Sequence, residues 1–106
     1  MLLTERLKEI MDIQTIILLH LDKIKSRANG RETDDIPSVA RIYSIDQATV
    51  RRNFKGDGKR QPYEKSLLGK GLVIEVKKGR ITEYMITEKG LVEVSERKLV
   101  IKKIIG

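Results

Sequence analysis

The sequence contains no cysteine and a single histidine, His20. Without cysteine there are no disulfide bonds, no thiolate nucleophiles and no zinc sites built on sulfur ligands. One histidine alone does not make a metal site. The chain therefore lacks the residues on which several classes of enzyme and metalloprotein depend, and we expect it to hold no metal or other cofactor.

Long apolar runs are also missing. No stretch is long enough to span a bilayer, and residues 1–10 carry charges where a signal peptide would need an apolar core. We therefore expect a cytoplasmic protein that makes no membrane contact. The 106 residues are 40% hydrophobic and 35% charged, which is too apolar for disorder and enough for one domain over residues 1–106.

No catalytic arrangement is visible in the pattern. The pairs Gly58-Lys59 and Gly69-Lys70 resemble part of a phosphate-binding loop, but the upstream glycine and the following Ser or Thr are absent. The acids Glu32, Asp34 and Asp35 precede a predicted helix, where capping and compensation of the helix dipole explain them better than metal binding. We expect no enzymatic activity.

Positive charge is concentrated in the middle third of the chain. The net charge is +7. Residues 46–80 hold ten Lys or Arg against four Asp or Glu, whereas residues 1–45 are balanced and residues 81–106 have one excess base. A focused basic region of this kind suits a polyanionic partner.

A long helix is predicted within residues 1–30. Apolar residues recur at helical spacing from Thr4, a candidate N-cap, to about Lys25. The helix is expected to stop at residues 28–30, which include an Asn and a Gly. His20 lies inside this helix, and we expect it at the helix surface or at an interface rather than as a ligand.

Two shorter helices follow. The second is expected to end near Tyr43 and to carry Pro37 in its first turn. The candidates for its N-cap are Thr33, Asp34 and Asp35. After a turn, Asp46 is the expected N-cap of a third helix from Gln47 to about Phe54, with its apolar residues facing inward.

The rest of the chain contains a basic loop, a hairpin and a terminal segment. Residues 55–62 form the loop, and Tyr63–Lys70 are predicted to resume a helix. Two β-type runs, Leu72–Lys77 and Arg80–Ile86, are joined by Lys78-Gly79. The predicted pairing puts Val76 opposite Ile81 and Leu72 opposite Met85, on one buried face. Residues 87–106 fit a helix or, in part, a strand, and we favour the helix.

This order of elements is that of a winged helix-turn-helix. The stretch from Gly69 to Gly90, in which "KGLV" enters a hairpin closed by "TEKG", resembles the wing of MarR- and PadR-like regulators. Residues 46–52 resemble the start of their recognition helix. The resemblance covers roughly residues 33–92 and implies a mainly helical α+β winged-helix fold. Residues 56–62 depart from the family, because they interrupt its usual run from the recognition helix to "KGLV".

The resemblance implies a transcriptional regulator that binds double-stranded DNA, with the third helix in the major groove and the basic wing on the backbone or in the minor groove. Gln47 and Thr49 are candidate base readers, whereas Arg51 and Arg52 fit either a guanine or a phosphate. The remaining expected contacts, mostly to phosphate, are Lys55, Lys59, Arg60, Lys65, Lys77, Lys78 and Arg80.

Two apolar segments exceed the needs of one winged-helix core. They are the middle of the first helix and the run from Leu91 to Ile105. Either they form a homodimer interface, which we favour, or they pack on each other within one subunit. Two other functions stay open: a winged-helix module that binds protein, and an architectural or replication-associated protein that binds DNA without sequence preference.

Overall fold

The computed structural model describes residues 12–27 and 32–105 and shows an α+β architecture made mainly of helices. The elements in chain order are α1 (Ile13–Ser26), α2 (Ile36–Tyr43), α3 (Gln47–Lys55), a 3₁₀ turn (Tyr63–Lys65), β1 (Val73–Lys78), β2 (Ile81–Ile86) and α4 (Glu88–Ile105). This order is consistent with a winged helix, and the predicted fold class is confirmed. The terminal segment is a helix, as favoured from the sequence.

Helix α1 begins later than the sequence pattern indicated. Asp12 has an extended backbone and accepts a hydrogen bond from the Thr15 N–H, at 2.8 Å, so it is the N-cap. The prediction of a helix that continues from Thr4 through Asp12 is therefore wrong. The short carboxylate side chain of aspartate favours the cap position over the helix interior. The predicted start at Thr4 and the predicted stop at residues 28–30 lie outside the described residues.

The helix-turn-helix follows the sequence prediction closely. Asp35 caps α2 by accepting from the Ser38 N–H, and Pro37 lies in the first turn. Ser44 ends α2 with a left-handed backbone (φ 54°), and its N–H bonds back to α2 carbonyls. Asp46 then caps α3. The predicted caps and bounds of both helices are confirmed.

The predicted helix over Tyr63–Lys70 is wrong. The chain makes only a 3₁₀ turn, and Ser66 then adopts an extended backbone while its hydroxyl donates to the Tyr63 carbonyl. A Cβ on Gly69 would lie 1.9 Å from the Tyr63 carbonyl oxygen, so the segment folds tightly on itself. The Leu67 N–H donates to the Asn53 carbonyl, which gives a C-terminal carbonyl of α3 a partner.

The hairpin register differs from the prediction by two residues. Strands β1 and β2 are antiparallel and pair Lys78 with Ile81 and Val76 with Glu83. The turn is therefore the two residues Gly79 and Arg80. Gly79 has φ +65°, the left-handed conformation that a two-residue hairpin turn of type II′ needs at its first position.

The buried face of the hairpin is the opposite of the predicted one. Val73, Tyr84 and Ile86 are buried, whereas Ile74 is 44% and Ile81 is 53% exposed. The ring of Tyr84 selects this face, because it stacks on a buried phenylalanine of α3. An aromatic ring removes more apolar surface from water than the aliphatic side chains on the other face.

Residue Asp34 adds a bridge to the free edge of β2. Its N–H donates to the Tyr84 carbonyl at 3.1 Å, and the Tyr84 N–H donates to the Asp34 carbonyl at 2.8 Å. The two bonds attach the segment before α2 to the hairpin. They fix the position of the helix-turn-helix relative to the hairpin.

His20 is buried, at 7% exposure, so of the two predicted positions the helix surface is wrong. Its Nε2 lies 2.7 Å from Asp34 Oδ2, and its Nδ1 lies 2.8 Å from the Tyr43 hydroxyl oxygen. The Ser38 hydroxyl also donates to Asp34 Oδ2. This polar cluster joins α1, α2 and the segment between them, and its hydrogen bonds offset the loss of water.

Helices α1 and α4 pack on each other. Val94 is 2% exposed and belongs to the same core as the buried residues of α1. Arg97 of α4 donates to the Thr15 hydroxyl, and Lys98 forms an ion pair with Asp22 at 2.9 Å. Much of the apolar surface that we assigned to a dimer is thus covered within the subunit. Within residues 12–27 and 32–105, no helix is long and apolar enough to cross a bilayer.

Candidate nucleic-acid interface

Helix α3 has one buried side and one exposed polar side. Val50 and Phe54, four residues apart, are fully buried, as predicted. Gln47, Arg51 and Lys55 are exposed. The helix therefore presents one amide and two cationic side chains to solvent, while its opposite side is packed in the core.

Arg51 and Lys55 line an open cleft of about 660 Å³ between α3 and the hairpin. The other wall includes Ile81 and Thr82 of β2. The hairpin is held beside α3 by the stack of Phe54 on Tyr84, whose ring centroids are 4.2 Å apart with 20° between the ring planes. The fold thus brings the basic side of α3 next to the wing.

Tyr84 also lines this cleft and is uncharged at neutral pH. Burial, and then the negative charge of Glu75, raise the pKa of its hydroxyl to about 12. The nearby positive charge of Arg51 acts in the opposite direction. The cleft wall beside Arg51 therefore contributes a neutral hydroxyl and no phenolate.

Arg52 is placed differently from Arg51. Its Nη2 donates to the Thr49 hydroxyl oxygen at 3.1 Å, and its Nε lies 4.0 Å from Asp57 Oδ2. The Thr49 hydroxyl in turn donates to Asp46 Oδ2 at 3.0 Å. Two of the predicted DNA contacts, Thr49 and Arg52, thus already have partners within the protein.

The basic loop after α3 is ordered by Asp57. Its Oδ1 accepts hydrogen bonds from the backbone N–H groups of Lys59, Arg60 and Gln61, at 2.8 to 2.9 Å. These bonds lower the pKa of the Asp57 carboxyl, and those from Gln61 and Lys59 have the largest effect. The loop presents the side chains of Lys59 and Arg60 to solvent.

The order of this loop should depend on pH. Because the folded pKa of Asp57 lies below its ordinary value of 3.8, its contribution is complete above about pH 4 and disappears as the pH falls through the folded pKa. In NMR spectra, the amide signals of Lys59, Arg60 and Gln61 should move together with a midpoint below 3.8. In Asp57→Asn this common titration should vanish. A midpoint above 3.8 would contradict the assignment.

The remaining predicted cations have mixed surroundings. Lys77 is exposed and donates to Thr82 across the hairpin, and Arg80 is exposed in the turn. Lys78 donates to the Thr33 hydroxyl at 2.9 Å and lies 3.4 Å from Glu83, so it is held against the segment before α2. Lys65 is exposed in the 3₁₀ turn.

A family model described as EarA-like matches residues 11–97. The chain belongs to the EarA-like family. No curated protein matches it. The description of the EarA-like family states no ligand or activity.

Sequence reasoning missed two features of this EarA-like interface. The first is the link from Arg52 to Asp57, and the second is the stack of Phe54 on Tyr84. The spacing of Asp57 before Lys59, Arg60 and Gln61 is a signal for a side chain that bonds to following amides. Nothing in the sequence indicates the stack, because it joins residues that are distant along the chain.

Proposed function

We propose that the chain is a regulator of transcription that binds double-stranded DNA. In this proposal α3 enters the major groove and the hairpin lies on the backbone or in the minor groove. The observation that supports it is the placement of exposed Arg51 and Lys55 in the cleft beside the wing. The likeness of the "KGLV" and "TEKG" motifs to MarR- and PadR-like regulators belongs to the same proposal.

The charge and shape of the surface fit this partner. A helix fits the major groove, where side chains reach base edges while flanking cations bind phosphate. Gln47 stands at the exposed start of α3, the part of such a helix that reaches bases. Lys77 and Arg80 are exposed near the tip of the hairpin, and Lys59 and Arg60 extend from the loop after α3.

Binding should be measured by fluorescence anisotropy on duplexes from a randomised pool at several salt concentrations. Lys55→Ala should weaken binding to all duplexes and reduce the slope of log affinity against log salt by about one, because one phosphate contact is lost. Lys23→Ala, which removes an exposed lysine of α1, is the matched control and should leave the slope unchanged.

The outcomes separate this proposal from the two alternatives. One duplex bound far more tightly than random DNA supports a sequence-specific regulator. Equal, steeply salt-dependent binding of all duplexes supports an architectural or replication-associated role. If no duplex binds, the proposal is wrong, and the basic surface belongs to a module that binds an acidic protein.

We also propose that two copies associate through α4. Val92, Leu99 and Val100 are between 57% and 64% exposed, although Val94 of α4 and the buried residues of α1 lie in the core. A dimer would place two recognition helices on paired half-sites. Val92→Lys combined with Leu99→Lys should shift the mass in sedimentation equilibrium from dimer to monomer and keep the fold. A monomeric wild type would contradict the proposal.

A further inference from the structure

Arg51 and Arg52 are adjacent in α3, but their guanidinium groups have different surroundings. Arg51 is exposed and opens into the cleft beside the hairpin. Among residues 12–27 and 32–105, its side chain has no hydrogen bond or ion pair. The Arg52 side chain is only 26% exposed and has two partners, Thr49 and Asp57. One guanidinium is available to a ligand and the other is held.

The contacts of Arg52 run from one end of α3 to the other. At the start of the helix, the Asp46 carboxylate accepts from the Thr49 hydroxyl, and that oxygen accepts from Arg52. At the end, Arg52 faces Asp57, whose carboxylate orders the basic loop. If Arg52 turned towards DNA, it would give up both contacts, and Asp57 would lose its ion pair with α3.

We propose that Arg51 is the residue by which α3 distinguishes base sequence, through a bidentate contact to guanine, and that Arg52 is a positioning residue for the loop. This inference rests on the proposed DNA-binding function. The planar fork of arginine matches the O6 and N7 acceptors of guanine, and lysine lacks that geometry. Thr49, whose hydroxyl is part of the Arg52 contacts, then supports the helix and does not read a base.

The test replaces each arginine by lysine, which keeps the charge and removes the fork. Dissociation constants are measured for a duplex selected by the wild type from a random pool, for versions with single base pairs exchanged, and for random DNA. Arg51→Lys should keep its affinity for random DNA and its salt dependence. It should lose a preference for guanine of roughly 10- to 100-fold at one position.

Arg52→Lys should behave differently in two measurements. It should keep the preference for guanine and lower the affinity for selected and random duplexes by the same factor. It should also move the amide NMR signals of residues 57–61, which Arg51→Lys should leave in place. The second measurement reports on the loop without DNA, so it tests the positioning role independently.

Other results would overturn the assignment. If Arg52→Lys loses the guanine preference, alone or together with Arg51→Lys, the division of roles is wrong. If Arg51→Lys weakens all duplexes equally, Arg51 binds phosphate. Equal binding of selected and random DNA by the wild type would reject a reading role and leave DNA binding intact. A wild type that binds no duplex would reject the proposed function itself.

Discussion

Replacing Phe54 by alanine should lower the free energy of unfolding by about 3–5 kcal/mol. The side chain is fully buried, and its ring stacks on Tyr84 of β2. The substitution removes a large apolar group and leaves a cavity where α3 meets the hairpin. A domain of this size has a total stability of about 5–15 kcal/mol, so much of that stability would be lost. Urea unfolding followed by circular dichroism measures the change.

Two milder variants make this prediction specific. Tyr84→Phe keeps the stack and removes only the hydroxyl, so it should change the stability by less than about 1 kcal/mol. Phe54→Leu keeps most of the volume and should cost less than Phe54→Ala. If Phe54→Ala lowers the free energy of unfolding by less than about 1 kcal/mol, the ring does not fix α3 against the wing. The DNA affinity of folded Phe54→Leu then shows how far binding depends on that alignment.

Helices α2 and α3 were predictable because their signals are local. Asp46 was predicted as a cap, Asp35 was one of three candidate caps, and α2 and α3 have the predicted bounds. The start of α1 after Asp12 was missed because the apolar periodicity of the sequence continues across this residue. Periodicity reports which face of a helix is buried, and it does not report where the helix begins.

The hairpin and the polar cluster depended on distant contacts. Both faces of the hairpin carry apolar residues, so alternation alone did not show which one packs. The choice was made by Phe54, some thirty residues before Tyr84 along the chain. The burial of His20 was not predicted, because its partners Asp34 and Tyr43 come from other parts of the sequence.

The basic residues of the candidate site were predicted from the sequence, but their contacts were not. The basic content of residues 46–80 was visible from the sequence, and the structure puts Arg51 and Lys55 together beside the wing. The sequence left Arg51 and Arg52 equivalent. The difference between them is the position of Asp57, which a loop conformation sets and helical spacing does not.

Replacing Asp34 by alanine should lower the free energy of unfolding by about 3 kcal/mol or more. Asp34 is 2% exposed. Its carboxylate accepts hydrogen bonds from His20, from the Ser38 hydroxyl and from the Asp35 N–H. Alanine would leave these buried donors without their acceptor, and an unmet buried donor loses more than the bond itself contributes. Chemical denaturation at neutral pH, where the carboxylate is charged in the unfolded chain, gives the difference.

The adjacent aspartate supplies the matched control. Asp35 accepts from the Ser38 N–H at the start of α2, so Asp35→Ala removes a helix cap and should cost about 1 kcal/mol. The two variants delete the same chemical group from neighbouring positions. They differ in whether the carboxylate serves one helix end or joins α1, α2 and the segment between them. Equal losses for the two variants would contradict the connecting role of Asp34, whereas a clearly larger loss for Asp34→Ala would support it.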